Sequence, residues 1–345
     1  MCNSQNHNLI ETYRSRDRRW AIHQGDVQQV LPTLSSCSYD GAFFDPPYGI
    51  GFMGHNWDGV VPPVEIWREV LRACKPGAHL LAFGSPKTFH RLFCNIEDAG
   101  WEIRDTLCWL HGEGFPKGQN IAKRIKRSGR DPATWEGYGT TLKPAWEPIC
   151  LAQKPFRETF ANNAIKRGCG GLNIDGCRIG NGGGTKRSHQ AEYPRLADGT
   201  EDRARWARSG HDVESIEAGR WPANLLLDDR AAELLDQQSG HSRSGRSVRR
   251  KPKSNVGNDK TMNRFLSRSE VVHGYGDEGG ASRFFYVAKA SGKERDGNDH
   301  PTVKPLALCE YLARLILQPQ RKTPRRLIVP FSGSGSEMLG GLLAG

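Results

Sequence analysis

Between residues 18 and 110 short apolar stretches alternate with segments of helical spacing, and this alternation restricts the chain to few folds. YDGAFF (39–44), AHLLAFG (78–84) and WEIRDTLCWL (101–110) read as strands. RWAIHQGD (19–26) reads as a shorter strand before them. Trp67, Val70, Leu71 and Cys74 recur at helical spacing after Pro62-Pro63, with Lys75-Pro76-Gly77 as the stop, and Phe89, Leu92, Phe93 and Ile96 repeat the pattern. Strands alternating with helices predict a mostly parallel sheet covered on both faces, a doubly wound α/β fold.

The texture changes after Leu110. Residues 117–130 carry six Lys/Arg before the first acid, and TLKPAWEPICLAQKP (141–155) then returns to strand-like material. From about 156 to 283 the chain is polar and rich in Gly, Arg and Ser, with a second basic run at 241–253 and few segments able to pack, RWPANLLLDD (220–229) among them. An irregular insertion is expected there. Order resumes with RFFYVAKAS (283–291), a helix entered through proline over 300–317 and a strand, glycine turn and helix start over 325–345. Three parts are therefore expected: 18–155, an insertion over 156–283, and 284–345.

Several classes of protein are disfavoured. No run approaches the ~20 apolar residues of a membrane span. The N-terminus lacks an apolar signal core, so a cytoplasmic location is expected. The nine cysteines form no CxxC pair, which argues for reduced thiols rather than a disulfide framework or zinc site. With 49 Lys+Arg against 38 Asp+Glu the 345-residue chain carries a formal charge of +11, a weak pointer to a polyanionic partner.

Three motifs carry chemistry. Asp45-Pro46-Pro47-Tyr48 follows a buried strand, where an open parallel sheet has its ligand crevice. Its carboxylate and free carbonyls are acceptors and its aromatic ring is a stacking face, a set suited to a planar ring bearing an amino group. The plainer reading is a rigid turn with a structural Asp. Phe331-Ser332-Gly333-Ser334-Gly335-Ser336, after LIVP, would let a ligand approach the backbone at a helix N-terminus, although a tight packing turn explains the glycines as well. In His300-Pro301-Thr302-Val303-Lys304-Pro305 a lysine opposes the helix dipole, so a ligand carboxylate is one partner for Lys304 and solvent is the other.

In this order, the three motifs resemble those of the amino-methylating DNA methyltransferases of the circularly permuted beta group, and the resemblance takes in HQGD (23–26), PAWEPICLAQKP (144–155) and RFFYVAKAS (283–291). It implies a Rossmann-like methyltransferase fold, S-adenosylmethionine as cofactor, double-stranded DNA as partner, base flipping, a restriction-modification setting, no metal, and a monomer or homodimer. By resemblance Asp45 and the Pro46 carbonyl would hold the exocyclic amino group, with Pro47 stiffening the turn and Tyr48 stacking on the flipped base. Phe331, Gly333 and Gly335 would line the cofactor, Thr302 and Lys304 would lie near its methionine end, and Asp26 would face its adenine. Asp26 reads equally as a strand-end cap. Lys123, Arg124, Lys126, Arg127, Arg249, Arg250 and Lys251 become candidate phosphate contacts, with a solvated basic loop as the alternative.

Two departures stand against the family pattern: Val329 replaces the Asp that often precedes Pro-Phe, and the sequence stops at Gly345 before a strand whose acid would hold the cofactor ribose, so weakened cofactor binding is expected. DPPY points to adenine N6, with cytosine N4 as the near alternative. Methylation of a protein glutamine amide and a DNA-binding remnant without activity are the readings from other classes.

Overall fold

A computed structural model describes residues 10–17, 19–51, 54, 56–112, 114, 118–180, 184–187, 213–216, 219–243, 277–288, 297–298, 300, 303–321 and 323–345. The strands are β1 (Glu11–Arg14), β2 (Ala21–Gln24), β3 (Tyr39–Phe44), β4 (Cys74–Phe83), β5 (Glu102–Leu110), β6 (Trp146–Gln153), β7 (Gly184–Arg187), β8 (Val213–Ile216), β9 (Leu225–Asp228), β10 (Ser242–Arg243), β11 (Glu278–Gly279), β12 (Tyr286–Ala288) and β13 (Leu327–Ile328). The α-helices are α1 (Val27–Val30), α2 (Val64–Ala73), α3 (Phe89–Asp98), α4 (Ile121–Arg127), α5 (Phe160–Arg167), α6 (Asp229–Ser239), α7 (Leu306–Ile316) and α8 (Ser336–Leu343).

Seven strands form one sheet in the order β12-β9-β5-β6-β4-β3-β13. All neighbours run parallel except β6, which is antiparallel to both β4 and β5. Alternate residues bury opposite faces of this sheet. Ala42, Phe44, Leu80, Ala82, Cys150 and Ala152 pack with Ile66, Trp67 and Val70 of α2 and Leu92 and Ile96 of α3. Phe43, Leu81, Phe83, Ile149 and Leu151 pack with Leu308, Leu312, Leu315 and Ile316 of α7. Both faces are dry, which is why these strands read as unbroken apolar runs rather than as alternating patterns. The molecule is thus a doubly wound, mostly parallel α/β fold.

Three expectations change. The 19–26 segment is a strand, but β2 pairs only with β1 in an antiparallel ribbon whose residues are largely exposed. AIHQ has no apolar run to bury on two faces. Cys74 does not end α2: the helix stops at Ala73 and β4 starts at once, with a register shift opposite Tyr39–Gly41 and Gly77 at φ +82°. The polar stretch after 156 is not uniformly irregular: α5 is a capped helix, and Leu225–Asp228 returns as β9 to lie between β5 and β12.

The chain divides into two compact units. One comprises Met1–Cys177, Ala223–Leu234 and Tyr286–Gly345, and holds the whole seven-stranded sheet. The other comprises Arg178–Pro222 and Leu235–Phe285. Within the second, β7 pairs antiparallel with β8 and β10 with β11. Asp277 there binds Arg220 at 2.5 Å and Arg283 at 3.3 Å, and both guanidiniums lie over the Phe284 ring.

Candidate active site

The period of a strand brings the reactive groups together. Phe43 faces α7, so Asp45, two residues on and just past the end of β3, is directed to the same side. Glu147 stands two residues before Ile149, also on that side, and β6 runs antiparallel to β4, so its start lies at the edge where β3 and β4 end. With β4 between them, the backbones carrying the two carboxylates are about 10 Å apart. Tyr48 and Lys304 close that gap. The Tyr48 hydroxyl lies 2.8 Å from Asp45 Oδ1 and 3.1 Å from Glu147 Oε2. The Lys304 ammonium, two residues before α7, lies 3.2 Å from each of the same oxygens and donates to the Tyr48 hydroxyl at 3.0 Å. It sits 4.9 Å above the Phe83 ring and only 6% of the residue is exposed.

Every hydrogen bond and ion pair to Asp45 from the described residues ends on Oδ1. Among the described residues no donor takes Oδ2, and none takes the Pro46 carbonyl. The turn itself is fixed from below. Buried Asp58 accepts from the backbone N–H groups of Tyr48 (2.5 Å), Gly49 (3.0 Å) and Ile50 (3.3 Å), and Thr88 donates to the Tyr48 carbonyl. Gly49 has φ +67°, and a Cβ there would stand 2.8 Å from the Val61 nitrogen, so this position requires glycine.

Burial pushes the Asp45 carboxyl up, and the charge of Glu147 adds to that, while Lys304 pulls it back. Burial alone would lower Lys304; Asp45, Glu147 and Glu337 together outweigh it and hold the ammonium above its ordinary value. Burial, followed by the charges of Asp45 and Glu147, keeps the Tyr48 phenol protonated far into the alkaline range. Glu337, in the first turn of α8 and 1% exposed, has the Cys309 thiol at 3.9 Å. Burial and then the Asp45 charge raise its carboxyl to about 7.

The glycine turn lies on the neighbouring strand. β13 pairs in parallel with β3, so the turn leaves the same edge as DPPY. Phe331 adopts φ +56°, Gly333 φ +41° and Gly335 φ +82°. A Cβ on Gly335 would meet nothing within 4 Å, so the backbone before α8 borders open space. Asn298 donates to the Ser334 carbonyl at 3.0 Å, and the His300 ring packs on Gly333.

The other expected residues fall in different places. Lys304, read as a partner for a ligand carboxylate, is held by two carboxylates of its own chain. Asp26 Oδ1 caps α1 by accepting from Gln28 N–H at 2.8 Å. Lys123, Arg124, Lys126 and Arg127 are exposed on α4, a short helix capped by Asn120, in a stretch where the sequence offered candidate phosphate contacts or a solvated basic loop but no helix. Thr302, Arg249, Arg250 and Lys251 lie outside the described residues. Five cysteines, 74, 150, 169, 177 and 309, are buried, and burial drives Cys169 to about 12 and Cys177 to about 11, too high for nucleophiles. Among the described residues no group of side chains could hold a metal, and no helix is long and apolar enough to cross a membrane.

Sequence reasoning missed Glu147, Asp58 and Glu337. Glu147 was legible only as part of PAWEPICLAQKP. Its parity with Ile149 was the available signal, but the strand pairing that aims it at Asp45 was not in the sequence.

A family model described as DNA methylase, N6_N4_Mtase, matches residues 39–338. The chain belongs to this family of N6/N4 DNA methylases. It is 32% identical over 116 residues to the type II methyltransferase M.HindIII of Haemophilus influenzae, a match covering 32% of this chain and 38% of that protein. Among solved structures, the M1.HpyAVI–SAM complex aligns over 92% of this chain and 85% of its own at 12% identity and a TM-score of 0.35. The cytosine-N4-specific PvuII DNA methyltransferase aligns over 92% and 84% at 11% identity and the same TM-score.

Proposed function

We propose that this chain transfers a methyl group from S-adenosylmethionine to the exocyclic N6 of adenine in double-stranded DNA, after flipping the base out of the helix. The observation that carries the reading is Asp45, with Oδ1 tied inward by Lys304 and Tyr48 while Oδ2 and the Pro46 carbonyl accept from no donor among the described residues. An exocyclic amino nitrogen is a poor nucleophile because its lone pair is delocalised into the ring. Two fixed acceptors hold its hydrogens and direct the lone pair outward, so geometry and charge placement do most of the work. The cofactor, when bound, supplies an electrophilic sulfonium methyl. The open backbone at Gly335, with Phe331 and Gly333, fits a ligand approaching the start of α8. Asp26 keeps Oδ2 for the cofactor adenine, and Thr302 remains assigned to the methionine end beside Lys304. The Tyr48 ring stacks on the extruded base while its hydroxyl stays in the carboxylate network. Extrusion costs a few kcal/mol of lost stacking, offset by these interactions.

In this proposal 18–155 and 284–345 form the methyltransferase part and 156–283 the target-recognition part, which lends β9 to the sheet. Lys123, Arg124, Lys126 and Arg127, with Arg249, Arg250 and Lys251, neutralise DNA phosphates. The aspartate at position 45 favours adenine over cytosine. A radiolabelled methyl-transfer assay beside a gel shift tests the reading. Asp45→Ala is expected to abolish transfer and spare DNA binding; near-wild-type turnover in that variant would overturn it.

A further inference from the structure

Glu147 has no role in the mechanism above, yet it is joined to the reactive carboxylate by two separate bridges. Tyr48 Oη stands between Asp45 Oδ1 and Glu147 Oε2 at 2.8 and 3.1 Å, and Lys304 Nζ stands between the same two atoms at 3.2 Å each. Lys304 also donates to Tyr48 at 3.0 Å, so four side chains, from the β3 turn, the start of β6 and the entry to α7, close one ring of polar interactions. We infer that Glu147 is a positioning residue for methyl transfer, acting through Tyr48 and Lys304 to fix the rotamer of Asp45 so that Oδ2 alone faces the target amino group. The inference rests on the methyltransferase reading above.

The physical case starts from Lys304. A buried ammonium beside a single carboxylate would turn its donors onto both oxygens of that group, occupying the acceptor that the substrate needs. A second carboxylate at the same distance divides the donors, and Asp45 is left with one engaged oxygen. The Tyr48 hydroxyl has one hydrogen and two acceptors within reach, so Glu147 also loosens that hydrogen's hold on Asp45. Without Glu147, Lys304 and Tyr48 would both turn to Asp45. The strands explain why this is rigid: Glu147 pairs with Trp109 across β5–β6, and the next residue's carbonyl, on Pro148, accepts from Gly84 N–H at 2.9 Å.

Glu147→Gln, Glu147→Ala and Tyr48→Phe test this in the full chain. The first readout is the single-turnover rate of methyl transfer at saturating DNA and S-adenosylmethionine, beside dissociation constants for each. Glu147→Ala should slow transfer roughly ten- to hundredfold, the scale of a small misplacement of reacting groups, with affinities almost unchanged. Glu147→Gln, which keeps an acceptor for Lys304 and Tyr48, should restore part of that loss. In the Tyr48→Phe background Glu147→Gln should cost less than it does alone, because one of its two bridges is already gone. The second readout needs no turnover: in tyrosine-ring 13C spectra the Tyr48 Cζ resonance should move in Glu147→Gln. An unmoved resonance, or an unchanged rate in Glu147→Ala, overturns the inference. Failure of the wild-type chain to methylate any DNA base while the Tyr48 resonance responds would instead overturn the methyltransferase reading.

Discussion

Two sets of lysines and arginines in the same compact unit meet opposite fates. Lys304 lies just before α7, hemmed by Asp45, Glu147 and Tyr48, with its charge matched inside the protein. Lys123, Arg124, Lys126 and Arg127 stand on α4, a helix with no buried residue, and face water. Both sets lie in or next to segments that leave the same sheet edge, since the β5–β6 connection that bears α4 starts after Leu110 and returns at Trp146. The contrast separates chemistry from binding. A buried charge is costly unless paired, so it is fixed in place and can hold a reacting group. An exposed charge costs little, contributes little to the fold, and is available to a polyanion.

Lys304→Met disrupts the buried set most severely, because it leaves Asp45 and Glu147 facing each other without a cation. A loss of about 3–5 kcal/mol in unfolding free energy is expected, read by denaturant titration. Replacing the four cations of α4 should move the same quantity by about 0.5 kcal/mol or less per site. Equal losses at the two places would remove the distinction.

Glu337→Gln probes the buried side of the contrast through pH. The carboxyl titrates at about 7 in the folded chain against an ordinary 4.5. Below about 4.5 it is protonated in both states and costs nothing. Between those values the folded state holds the extra proton, so stability falls as pH rises, and above about 7 the full cost is present. At pH 8 the glutamine variant should therefore be more stable than wild type, by about 3 kcal/mol, and the difference should vanish near pH 4. A pH-independent difference would mean that Glu337 is not a buried titrating carboxyl.

The smallest effect on the fold belongs to α4. Changing Lys123, Arg124, Lys126 and Arg127 to Ser should weaken DNA binding and flatten its salt dependence by about 0.9 in the log–log slope for each phosphate that is no longer neutralised. An unaltered slope would make α4 a solvated helix only.

The two regions also differ in how far they could be read from sequence. β3, β4, β6, α2, α3 and α7 were legible because burial on both sheet faces leaves apolar runs and helical spacing in the chain. DPPY and the glycine turn were legible because Pro and Gly impose local backbone shapes whatever surrounds them. The partners of Lys304 were not, since they lie 259 and 157 positions away (304 − 45 and 304 − 147) and meet it only through strand order and direction. Nor was the fate of β2, whose polar residues suit a ribbon and whose neighbours decided that it stays out of the sheet. α4 was hidden for the opposite reason: a short cationic helix without an apolar stripe leaves no periodic signal.

Buried and exposed charges alike serve one proposed event, methylation of an adenine amino group at the Asp45 edge. Duplex DNA of mixed sequence, incubated with the chain and S-adenosylmethionine carrying a deuterated methyl group, then digested to nucleosides and analysed by mass spectrometry, tests that event itself. Labelled N6-methyl-2′-deoxyadenosine is expected from the wild-type chain and none from Asp45→Ala. Label on cytosine, or label on adenine that survives Asp45→Ala, would contradict the proposal.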